Sequence, residues 1–161
     1  MKMKTIPELG DFVRRLRTQM RYGELSRAPL CLLRIEARGE AAECDWLARL
    51  PDVWDSTLPR NRGAQLASEQ ALRDAIGVSR LLFDSLPQIQ EARFRAFRQS
   101  ARVPPDLIIT GKFRREAPSV MRVPSLVMRA KLHGLHFWLD DGVLMPLDEQ
   151  GQRGLRLMGV G

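Results

Sequence analysis

The chain has 161 residues, 44% of them hydrophobic and 28% charged, with a formal net charge of +7. That length suits one domain with a core that needs no covalent staple, and two cysteines, Cys31 and Cys44, with no CxxC pair exclude a thiolate zinc site and a disulfide framework. No window approaches 18 apolar residues, so no transmembrane segment is expected. The basic start Met1-Lys2-Met3-Lys4 leads into Pro, Glu, Asp and Arg instead of an apolar stretch, so a secretory leader is not expected and the expected setting is cytoplasmic.

In chain order, Thr5-Ile6-Pro7-Glu8 reads as a capping box with Pro in the first turn. Leu9, Phe12, Val13, Leu16 and Met20 follow at helical spacing, and Gly23 is placed to stop the helix. Over Pro29 to Ala48, apolar Leu33, Ile35, Ala37, Ala42, Cys44 and Trp46 alternate with Arg34, Glu36, Arg38, Glu43 and Asp45. Gly39-Glu40 can turn the chain, so the stretch predicts a hairpin with one solvated, salt-bridged face. Pro51 to Pro59 reads as a loop. Asn61 is placed to cap a helix from about 62 to 76, Gly77 to break it, and Val78 to Leu86 to resume it before Pro87. Residues 90–99 fit both periods, and a strand is preferred because the β-run from Leu107 to Phe113 pairs with it naturally. Pro124 can open a helix that ends at His133-Gly134. Leu135 to Leu139 and Val143 to Leu147 predict a last hairpin around Asp140-Asp141-Gly142.

The expected fold is α+β, ordered α-ββ-αα-ββ-α-ββ: a mainly antiparallel sheet of about six strands in three hairpins, carrying three to four helices. Residues 1–148 form the expected domain, and residues 149–161, rich in Gly, an expected flexible tail.

The positive charge is uneven. Residues 1–28 carry net +4 and residues 89–133 net +7, whereas residues 29–60 and 134–161 each carry −2. The second basic block contains Arg93-Phe-Arg-Ala-Phe-Arg98. On a strand, Arg93, Arg95 and Phe97 share a face, and Lys112, Arg114 and Arg115 from the next strand extend it. Arg for phosphate and an aromatic ring for base stacking are what single-stranded nucleic acid needs. The competing reading makes Phe94, Phe97 and Phe113 core and leaves the arginines solvated. A secondary basic surface is the first helix, with Arg14, Arg15, Arg17 and Arg21. Its one aromatic, Phe12, makes peripheral membrane contact a poor fit.

Catalysis finds little local support. No GxSxG elbow, local Cys–His arrangement or phosphate-cradling Gly loop occurs, and Thr110-Gly111-Lys112 reads as a bulge or turn. His133 and His136 are the only histidines and supply too few ligands for a metal. Asp140-Asp141 reads as turn chemistry. The chain is therefore expected to be no enzyme, to carry no cofactor or metal, and to act as a binding module for a polyanion such as RNA or single-stranded DNA. The alternative is an accessory subunit of a protein assembly with no nucleic-acid role, anchored by the first helix and Trp54 or Trp138.

Overall fold

A computed structural model of the chain describes residues 6–51, 59, 61–100, 104–115 and 125–148. The Trp54 loop, the break at 116–118, the role of Pro124, the Thr5 cap and the C-terminal tail lie outside these residues.

The elements run α1 (Ile6–Gln19), β1 (Cys31–Arg38), β2 (Ala41–Leu47), α2 (Arg62–Ser85), β3 (Glu91–Arg98), β4 (Asp106–Arg114), α3 (Leu126–Leu132), β5 (Leu135–His136), β6 (Leu139–Asp140) and β7 (Val143–Leu144). Residues 90–99 do contribute a strand. The α+β class holds, but two details of the expected order are corrected.

The first correction is the sheet. It has five strands in the order β1-β2-β3-β4-β5, and β2 pairs with β3 in parallel, Cys44 opposite Phe94 and Asp45 opposite Arg95. A parallel neighbour requires a crossover, and α2 supplies it, taking the chain from the end of the sheet where β2 finishes back to the opposite end, where β3 begins. The last hairpin is divided as well. Leu135 and His136 pair with Gly111 and Thr110 of β4, whereas β6 and β7 form a separate two-stranded ribbon. Asp141 and Gly142, both at positive φ, turn that ribbon as the Asp-Gly pair predicts.

The second correction is α2, one helix of 24 residues rather than a pair. Gly77 does not break it. A Cβ there would stand 3.1 Å from Cε of Met20, so the missing side chain is the seat of the C-terminal end of α1. Buried Ile76 and Val78 hold the turn on either side. Asn61 precedes the helix without a side-chain capping bond, and its amide instead donates to Asp141. The cap of α3 is Ser125, whose hydroxyl accepts from the Met128 N–H at 3.2 Å.

Alternation decides which side of the sheet each residue takes. Ala42, Cys44 and Trp46 of β2, Ala92, Phe94 and Ala96 of β3, and Ile109 and Phe113 of β4 are all buried. They pack with Phe12 and Leu16 of α1, and with Leu72, Ala75, Val78 and Leu82 of α2, in one core. The residues between them on the strands form the opposite face, where the charges stand.

Candidate functional site

The opposite face holds a shallow groove of about 460 Å³ lined by Glu43, Asp45, Arg93, Arg95, Thr110, Gly111, Lys112 and His136. Four strands build it. Parallel pairing sets Glu43 beside Arg93 and Asp45 beside Arg95. Antiparallel pairing then sets Arg93 beside Lys112, and Arg95 and His136 on either side of Thr110.

The charges are arranged in two unequal groups. Towards β1, carboxylates are in excess: Arg34 bonds Glu43, Glu36 at 2.9 Å and Asp45 at 3.3 Å. These bonds push the Arg34 guanidinium above its ordinary value, Glu43 acting most strongly. Asp45 is only 5% exposed, yet it also accepts from Nε and Nη2 of Arg95 at 3.0 and 2.6 Å. Two arginines thus neutralise one buried carboxylate, and Asp45 raises the pKa of Arg95 in return. Towards β4, cations are in excess. Lys112 bonds Glu91 at 3.2 Å and Arg114 stands 3.9 Å from the same carboxylate, both solvent-exposed. Arg93, exposed at the centre, has no ion-pair partner among the described residues.

Five of the six residues singled out in the sequence share this face: Arg93, Arg95, Phe97, Lys112 and Arg114. Phe97 is half-buried, with the Arg95 guanidinium 5.5 Å from its ring centre, while Phe94 and Phe113 are in the core. Arg115 stands elsewhere. It donates to the carbonyls of Phe83, Leu86 and Ile89 at 2.8–3.0 Å and lies over the Phe83 ring, closing the C-terminal end of α2. The secondary basic surface belongs to the helix layer. Asp11 pairs with both Arg14 and Arg15, and Arg21 lies beyond the end of α1, over the Tyr22 ring.

Glu43, Asp45 and His136 were not foreseen as members of the site. The alternation of β2 already puts Glu43 and Asp45 on the solvated face. Only the parallel pairing carries them to the arginines of β3.

The two histidines lie on opposite sides of the sheet. His136 lines the groove, whereas the ring of His133 packs edge-on against Phe113 at 4.6 Å, with Nε2 3.3 Å from the Ser79 hydroxyl. Burial, with Arg80 nearby, holds His133 below its ordinary pKa. The Ser79–His133 pair is no nucleophile and base: Ser79 is 1% exposed and donates to the Ile76 carbonyl. Among the described residues no group of three or more His, Cys, Asp or Glu is placed to hold a metal, and no helix is long and apolar enough to cross a membrane. The chain matches no known family model, no curated protein and no solved structure.

Proposed function

We propose that the protein is a non-catalytic binding module for a polyanion, RNA or single-stranded DNA, and that the β3–β4 half of the open sheet face is its contact surface. The observation that carries this reading is the cross-strand pair Arg93 and Lys112 at the centre of the groove. Arg93 is uncompensated among the described residues, and Lys112 and Arg114 share one half-buried carboxylate, Glu91. An arriving phosphate therefore meets positive charge without first displacing a buried ion pair. Phe97, beside Arg95 on the same face, offers a ring to a base. The groove carboxylates do not suggest acid–base chemistry, because Glu43 and Asp45 are both held by arginines.

The test is fluorescence anisotropy with a labelled single-stranded RNA and a duplex DNA of equal length. Preference for the single strand is expected. Arg93→Glu with Lys112→Glu should weaken binding by tenfold or more, since each charge reversal replaces attraction by repulsion at the contact. Both side chains are exposed, so the thermal unfolding midpoint should stay close to that of the parent. Undiminished binding by the folded double variant would remove this face from the proposal.

A further inference from the structure

We infer that the outer edge of β1 is a self-pairing site, through which two copies of this chain join their sheets into one antiparallel sheet about a two-fold axis at Ile35. Among the described residues, β1 is the terminal strand of the sheet and pairs on one side only, with β2. Its eight residues contrast with the two of β5 at the other end.

The geometry of the hairpin says which backbone groups face outward. Arg38 and Ala41 pair across the two-residue turn Gly39-Glu40, with Gly39 at φ +62°. In such a hairpin the closing pair exchanges both hydrogen bonds, and bonded and non-bonded pairs then alternate. Arg38, Glu36 and Arg34 therefore bond to β2. Ile35 and Ala37, opposite Cys44 and Ala42, direct their N–H and C=O groups away from it.

An antiparallel copy centred on Ile35 uses these outward groups. Ile35 meets Ile35 of the second copy, and Ala37 meets Leu33. That register places Arg34 opposite Glu36 of the second copy, and Glu36 opposite its Arg34, in the non-bonded pairs where side chains stand closest. Among the registers the outward backbone groups allow, this one makes the charge pattern self-complementary, whereas an axis at Glu36 would set Glu36 against Glu36. Within one copy Glu36 shares Arg34 with Glu43 and with Asp45, which Arg95 also bonds, and the register gives Glu36 a second guanidinium, Arg34 of the second copy. Leu33, 48% exposed, is the residue that the irregularity in β1 leaves without a partner in β2, and it lies within this contact. An unpaired edge strand usually carries charges that repel another strand; here the same charges select a copy of themselves. The inference is independent of polyanion binding, since Arg93 and Lys112 lie two and three strands inward.

Sedimentation equilibrium of the full chain across a concentration series is expected to show a monomer–dimer equilibrium. Hydrogen exchange should slow at the Ile35 and Ala37 amides as concentration rises. Ala37→Pro removes one outward donor, which an edge strand tolerates, and should give a folded monomer. Glu36→Arg, at a side chain 60% exposed, sets Arg against Arg and should weaken dimerisation at least tenfold. A chain that stays monomeric at every concentration would overturn the inference. So would a dimer that Glu36→Arg leaves unchanged, since another surface would then hold it.

Discussion

Arg49 and Asp74 are the residues whose importance the amino-acid pattern conceals most fully. Both side chains are almost completely buried, with Nε and Oδ2 2.7 Å apart. The remaining guanidinium donors reach the carbonyls of Met20 and Arg21, just past the end of α1, and of Ala28 in the loop that follows. Gln70 completes the cluster, donating to Asp74 at 3.0 Å and accepting from the Leu25 N–H. One ion pair therefore ties α1, the loop after it, β2 and α2 together. Removing one partner strands a buried charge, so Arg49→Met should lower stability by about 3–5 kcal/mol in urea unfolding. His133 makes a second prediction at this scale. Its folded-state pKa is depressed, so the unfolded chain takes up a proton first, at about the ordinary value of 6.5. Stability is then fully present above that pH and is lost as pH falls through 6.5 towards the folded value. Urea midpoints measured at pH 7.5 and 5.5 should fall further for the parent than for His133→Gln.

Among the elements, β4 shows how a close approach shapes the site. Gly111 reads in sequence as a bulge or turn, but it is an in-register strand residue opposite Phe94. A Cβ at this position would stand 2.7 Å from the Gly134 carbonyl and 3.1 Å from the Leu135 Cα. Both contacts are backbone, so the chain entering β5 cannot yield as a flexible side chain does. Gly111→Ala should cost about 1–3 kcal/mol, the range for overpacking. The loss should appear as faster hydrogen exchange at Leu135 and His136, and as displacement of His136 from the groove. In α2, Gly77 has the complementary role: the helix runs straight through it because Met20 fills the space a side chain would take. In both cases glycine marks where another element must come near, and no local propensity rule distinguishes that from a break.

For the whole molecule, the net charge of +7 is a poor guide to the strength of any anion site. The open face mixes its signs. Arg34 and Arg95 are committed to Asp45, Arg34 also to Glu43, and Lys112 and Arg114 to Glu91. A strand of nucleic acid laid across β3 and β4 thus meets about two or three available cations, not the full basic block of residues 89–133. At roughly 0.7 counterions released per phosphate for single strands, the log–log salt slope should be about −2. Anisotropy titrations between low and moderate salt check this. A slope near −7 would mean that the contact surface extends well beyond this face.

The sequence by itself determined the local elements and their sides. Alternation over residues 33–38, 42–46 and 91–96 puts Cys44, Trp46 and Phe94 on the core side and Asp45, Arg93 and Arg95 on the other, because a strand has a side-chain period of two whatever its neighbours. The first helix and the Asp141-Gly142 turn were legible because each rests on interactions within a few residues, whereas residues 90–99 fit both periods and read as a strand only through the β-run that follows them. The tertiary structure alone decided the parallel β2–β3 pairing, which brings Asp45 to Arg95, and the burial of Arg49 against Asp74. It alone turned Arg115 back onto the end of α2, away from the face shared by Arg93 and Lys112. These depend on which hydrogen-bonding edges and desolvated charges meet across 25 to 50 residues of chain, and periodicity carries no information about that choice.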